Sequence, residues 1–118
     1  MTNKEKARAF SNGEFETVLN FIAEDAVWTI MEENTFSGKK AIGQNCEQVA
    51  SYFKTVITKF ETLNIIGEDK KVAVNGTAEF FKNGKSVSFI SACDLYEFNK
   101  KNEIQKITSY CIPRIEKN

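Results

Sequence analysis

An aspartate stands inside an apolar and aromatic stretch, "SACDLYEF" at 91–98. Asp94 is the residue of this chain best placed to do chemistry. A carboxyl surrounded by apolar groups loses hydration, which raises its pKa. The neutral acid can then donate a hydrogen bond to a carbonyl or enolate oxygen. The same residue also has a structural reading, as an acceptor for a bend, a helix or a neighbouring side chain. Glu32 and Glu33 follow an early strand and are the other carboxylates that could join Asp94, as an acid and base or as metal ligands. A metal needs a convergent set of oxygen donors, and no such spacing is visible, so no metal site is assigned.

The rest of the inventory narrows the chemistry. The chain has no histidine. Ser–His–acid and Cys–His nucleophilic machinery are therefore excluded within it, because each needs an imidazole to accept the nucleophile's proton. An HExxH zinc site is excluded for the same reason. The three cysteines, Cys46, Cys93 and Cys111, form no CxxC pair. An odd number of widely spaced cysteines is read as reduced thiols in a cytoplasm. No glycine pattern cradles a phosphate, and no dinucleotide-binding unit is present. The lysine pairs at 39–40, 70–71 and 100–101 fall in turns or helix starts and read as solvated charge.

The elements that must position Asp94 follow from periodicity. Residues 4–11 predict a short helix with Ala7 and Phe10 on one side, stopped by the turn formers "SNG". A second helix covers about 14–22, where Phe15, Val18, Leu19 and Ile22 make one apolar stripe. "AVWTIM" at 26–31 is β-favouring, and "EENTFSG" turns away from it. A longer helix is expected over about 39–56, with Ile42, Val49, Phe53 and Val56 on its apolar side and Cys46 and Ala50 beside them. The remainder predicts strands at 60–67, 71–82, 85–98 and 104–114, and their short connections favour antiparallel hairpins.

Strand alternation over 85–98 gives two rows. Ser88, Ile90, Ala92, Asp94, Tyr96 and Phe98 form one; Val87, Phe89, Ser91, Cys93, Leu95 and Glu97 form the other. Both are largely apolar, whereas a strand with one wet face alternates more cleanly. The strand is either buried centrally, or it turns one row inward and offers the other to a dimer partner. Trp28 and Ile30 share a parity that points inward, and Trp28 could supply a flat wall with an indole donor.

Composition sets the class. A chain of 118 residues with 42% hydrophobic and 27% charged residues is expected to fold as one domain, 1–118, with a real core. Ten phenylalanines make that core aromatic. Sixteen basic residues balance sixteen acidic ones, and neither half is polarised. A nucleic-acid binder needs a basic face, so no nucleic acid is expected as a partner. The N-terminus "MTNKEKARAF" shows no signal-peptide core, and no apolar run is long enough to span a membrane. Helices first and strands afterwards indicate an α+β fold.

The order of these elements resembles the nuclear transport factor 2-like superfamily, in its SnoaL-like and ketosteroid-isomerase-like branch. The resemblance rests on "NGEFETVLNFIAEDAVWTI", "GKKAIG" and "CDLYEFNKKNEIQKITSY". It implies a cone-shaped α+β barrel, with three N-terminal helices and a strongly curved, mainly antiparallel sheet around a pocket. It also implies a homodimer built on the outer sheet face and an apolar or aromatic small-molecule ligand. Any chemistry would be cofactor-free acid–base isomerisation, cyclisation, dehydration or hydrolysis; a noncatalytic binding or scaffold role is the alternative.

By the resemblance, Asp94 corresponds to the acid that stabilises an enolate in ketosteroid isomerases. The general-base position falls on Ile30, which cannot move a proton, and the tyrosine-like position falls near Lys6. The ligand-facing set implied is Trp28, Ile30, Asn45, Cys46, Ile90, Ala92, Ile107, Ser109 and Cys111. Cys46 reads better as a small buried hydrophobe than as a nucleophile.

Overall fold

The computed structural model describes residues 1–115. Helix α1 (Asn3–Ser11) begins with a capping box: the Glu5 backbone N–H donates to Thr2 Oγ1 at 3.1 Å, and Thr2 N–H donates to Glu5 Oε1 at 2.8 Å. These bonds satisfy donors that a helix start leaves unpaired. Helix α2 (Phe15–Val18) is a single turn that continues as 3₁₀ over Leu19–Phe21. The break from α1 is made at Gly13, whose φ is +75°. A Cβ there would lie 2.6 Å from the Phe53 ring. Glycine thus supplies both the left-handed conformation and the space for Phe53.

Strand β1 (Ile22–Ile30) and strand β2 (Asn34–Ser37) form an antiparallel hairpin. Helix α3 (Lys39–Phe53) follows, with Ile42, Cys46, Val49 and Phe53 along its inner side. Strands β3 (Ile57–Glu68), β4 (Lys71–Lys82), β5 (Lys85–Phe98) and β6 (Ile104–Pro113) complete the chain as an antiparallel meander. Strand β1 pairs with β6 in parallel, which gives the sheet order β2-β1-β6-β5-β4-β3.

The α+β class and three helices stand, but the expected cone-shaped barrel does not. Strands β2 and β3 lie at opposite edges and do not pair with each other, so the sheet is open. It is not strongly curved either. At about 3.3 Å per residue, the fourteen residues of β5 reach roughly 46 Å when straight, and the molecule's long axis is 48 Å. A sharply bent strand would fold that length into a shorter body. The irregularities are local: Leu63 is an extra residue in β3, Val87 in β5 and Gln105 in β6, and the register of β1 shifts between Ile22 and Val27.

The helices cover one face. Helix α1 packs over β3, β4 and β5, while α3 packs over β1 and β2. Between them the core is built from Ala7, Phe10, Val18, Ile22, Ile42, Cys46, Tyr96, Ile104 and Ile107, all buried. Tyr96 is the largest fully buried side chain. Its hydroxyl needs a partner in that setting, and the partner it finds defines the site.

Candidate functional site

Helices α1 and α3 meet the sheet without filling the space between them, which leaves a cavity of about 410 Å³. The alternation of β5 sends Ser88, Ile90, Ala92 and Asp94 into it, with Tyr96 and Phe98 continuing the row into the core. The last strand adds Ser109 and Cys111, β1 adds Trp28 and Ile30, and α3 adds Asn45. The structure therefore brings eight of the ten residues singled out from sequence to one cavity.

Cys46 and Ile107 are the two exceptions. Both are buried in the core away from the cavity wall. Cys46 belongs to the stripe of α3 that packs down on the sheet, and burial pushes its thiol up to about 12. Ile107 pairs with Tyr96 and Trp28 across neighbouring strands and is fully enclosed. Lys6 also lies elsewhere. Its Nζ donates to the Asn102 carbonyl at 2.7 Å and sits 4.2 Å from the centre of the Phe21 ring. Burial lowers its pKa, and its role is packing at the opposite end of α1.

One end of the cavity is polar. Ser11 donates to Asp94 Oδ2 at 2.8 Å and lies 2.7 Å from the Tyr96 hydroxyl. Because Ser11 spends its proton on Asp94, Tyr96 must donate to Ser11. On the other side, the Trp28 indole N–H donates to Ser109 Oγ at 2.9 Å. An indole can only donate, so Ser109 keeps its own proton, and Ser109 faces Asp94 across the β5–β6 ladder.

Burial raises the pKa of Asp94, while the neighbouring Ser109 and Ser11 hydroxyls act the other way and do not cancel it. The carboxyl retains some accessible surface because the cavity itself is open space. Tyr96 is pushed well above the usual tyrosine range, by burial and then by the Asp94 charge. Burial therefore works against ionisation of both Asp94 and Tyr96.

The opposite end is aromatic. Phe53 stacks on Phe80 with centroids 5.7 Å apart, and Phe60 meets both edge-on at 5.5 and 6.2 Å. Tyr52 stands at 5.7 Å from Phe80 and is exposed at the rim. Phe10 lies toward the polar end, edge-on to Trp28 at 5.0 Å, to Phe15 at 5.2 Å and to Tyr96 at 6.1 Å.

Glu33 reaches the cavity from the open side, whereas Glu32 occupies the β1–β2 turn at φ +64° and does not line it. Ile30 lies on the wall, so the position corresponding to a general base is apolar in place as well as in type. Burial, then the Asp94 and Glu33 charges, push the Cys111 thiol up to about 11, although part of the residue is exposed. Among the described residues no cluster of His, Cys, Asp or Glu could hold a metal ion.

Ser11 is the functional-looking residue that sequence reasoning missed. In the sequence it stands at the head of the "SNG" helix stop. Yet it follows Ala7 by four positions, and i, i+4 places both on one helical face, so the signal was present.

The arrangement can hold a flat apolar body and meet one of its oxygens with an acid. It belongs to a helix-covered, open-sheet α+β protein with a one-sided cavity. The family model for the SnoaL-like domain matches residues 5–109, and the chain belongs to this SnoaL-like branch of the NTF2-like superfamily.

Among solved structures, an NTF2-like protein from Cytophaga hutchinsonii is similar at 28% identity and TM-score 0.79, over 92% of this chain and 94% of that one. An NTF2-like protein from Burkholderia pseudomallei shares 18% identity at TM-score 0.66, over 92% and 90%. An LEH-like epoxide hydrolase from Mycobacterium tuberculosis shares 15% identity at TM-score 0.66, over 89% and 75%. The last two show likeness of fold. No curated protein matches the sequence.

Proposed function

We propose that this domain binds an apolar or aromatic small molecule carrying one oxygen, with Asp94 as the acid that donates to that oxygen. The observation that carries the reading is the cavity's polarity: a half-buried acid bonded by Ser11 and flanked by Ser109 at one end, and Tyr52, Phe53, Phe60 and Phe80 at the other. A neutral carboxyl in such surroundings stabilises developing negative charge without being charged itself. Trp28, Ile30, Ile90 and Ala92 form the walls, and Asn45, Ser109 and Cys111 supply secondary contacts. If the site turns over, the reaction is a cofactor-free isomerisation, cyclisation, dehydration or hydrolysis, with Glu33 or water in place of a base. The epoxide hydrolase of similar fold is one precedent for hydrolysis on this scaffold.

A noncatalytic binding role is the second reading, and the apolar Ile30 at the base position favours it. We further infer a homodimer through the outer sheet face and a reducing, cytoplasmic setting. The dimer rests on exposed apolar residues of that face, the setting on three free thiols. Among the described residues, no helix is long and apolar enough to cross a membrane.

Trp28 offers the readout. Naphthol and naphthalene share a ring body and differ in the hydroxyl. Quenching of Trp28 fluorescence should show both binding, with naphthol tighter. If neither perturbs the indole, the pocket reading fails; if both bind equally, Asp94 is no recognition group.

A further inference from the structure

A second, smaller chamber of about 40 Å³ adjoins the main cavity at Asp94 and Phe60. It shares Ser11, Phe60, Ala78, Ala92 and Asp94 with the main cavity, and its far wall is made by Asn12, Glu61, Thr62, Val74, Gly76 and Thr77. Its size exceeds the roughly 15 Å³ that one water needs, and it is too small for an organic ligand. Its lining residues carry two carboxyls (Asp94, Glu61), three hydroxyls (Ser11, Thr62, Thr77) and the Asn12 amide, and a buried water requires about two to four such partners.

The outer wall is a weak latch. Asn12 Nδ2 lies 3.3 Å from Thr62 Oγ1, and the reverse contact, Thr62 Oγ1 to Asn12 Oδ1, is 3.5 Å. Both are long for hydrogen bonds. The latch spans from the end of α1 to β3 at the point where β3 bulges. Gly76 lets β4 pass close to β3 there, since a Cβ would lie 2.3 Å from the Glu61 carbonyl oxygen. Beyond the latch stands exposed Glu61.

We propose that this chamber is a water site that connects Asp94 to solvent independently of the ligand cavity, through the Asn12–Thr62 latch. The claim rests on Asp94 acting as the proposed ligand-side acid. When Asp94 gives its proton to an oxygen in the main cavity, one proton returns from bulk solvent through the chamber water. One proton enters for each delivered, and no electrons move. The acid is then reset while the ligand remains bound.

Two measurements test this. The first is infrared detection of the protonated Asp94 carboxyl at mildly acid pH after transfer to heavy water, with the band assigned by its loss in Asp94→Asn. Naphthol fills the main cavity, and Trp28 fluorescence reports its affinity. Wild type should continue to exchange with naphthol bound. Thr62→Val, nearly isosteric, removes a hydroxyl that lines the chamber as a partner for its water, while the long contacts to Asn12 hold little; it should keep the same affinity and exchange roughly tenfold more slowly, the weight of about one hydrogen bond. Arrest of exchange in naphthol-bound wild type, or an unchanged rate in Thr62→Val, overturns the proposal while leaving naphthol binding intact. The second is a high-resolution crystal structure, expected to show an ordered water within hydrogen-bond reach of Asp94 in the chamber. A dry chamber overturns the proposal whether or not naphthol binds.

Discussion

At the scale of single residues, Asp94 is governed by two opposed effects. Burial disfavours its charge, and two serine hydroxyls favour it; burial prevails. That balance has a consequence for stability. The ordinary aspartate value is 3.8, and the folded value lies above it. Between the two, the folded chain binds more protons than the unfolded chain. Stability contributed by Asp94 therefore falls as pH rises through that window and stays lower above it. Asp94→Asn keeps an acceptor for Ser11 and cannot ionise, so it should gain stability relative to wild type as pH rises from acid to neutral. Urea unfolding of both proteins across that range checks this. A stability difference that does not change with pH would mean that burial does not shift Asp94.

At the scale of elements, the strands from β4 to β6 were legible because alternation and turn chemistry agree. "KNGK" and "NKKNE" bracket β5 within a residue of where it begins and ends. Helix α3 stops at Phe53 rather than continuing to 56, because the chain must turn before β3 starts at Ile57. Strand β2 was not legible: "NTFS" is short, polar and exposed apart from Phe36, and its pairing with β1 alone makes it a strand. Inward placement of Asp94, Ile90 and Ala92 followed from parity. Ser11 was hidden by its neighbours Asn12 and Gly13, which signal a stop rather than a face. Gly13 carries the α1–α2 turn. Gly13→Val should cost about 1–3 kcal/mol, from left-handed strain and collision with Phe53. Denaturant titration measures it, and a loss below a few tenths would show that the turn relaxes freely.

At the scale of the whole molecule, the open sheet was the part that sequence could not show. Whether β2 meets β3 depends on contacts between distant segments, and the strand patterns are the same in a closed barrel. Openness leaves a broad outer face. Ile66, Ala73, Leu95 and Thr108 lie in register across four adjacent strands, and Ile66, Leu95 and nearby Tyr110 are exposed. Phe89 is partly covered by Arg114, whose guanidinium is 5.6 Å from the ring centre, so Leu95 is the cleaner probe of association. Sedimentation across a broad concentration range should show dimer for wild type and mostly monomer for Leu95→Lys. Monomer mass for wild type at high concentration would remove the dimer.

The central claim is that Asp94, bonded by Ser11 and flanked by Ser109, is the group that recognises a ligand oxygen. Calorimetric titration of naphthol into wild type, Asp94→Asn and Asp94→Ala tests it most directly, with folded structure checked by circular dichroism. Asp94→Ala should weaken binding by about 1–3 kcal/mol, the range for a lost hydrogen bond at a buried group. Asp94→Asn, which can still donate, should fall between the two. Equal affinity in all three proteins, with folds unchanged, would contradict the account and leave Asp94 as a structural acceptor at the end of an apolar cavity.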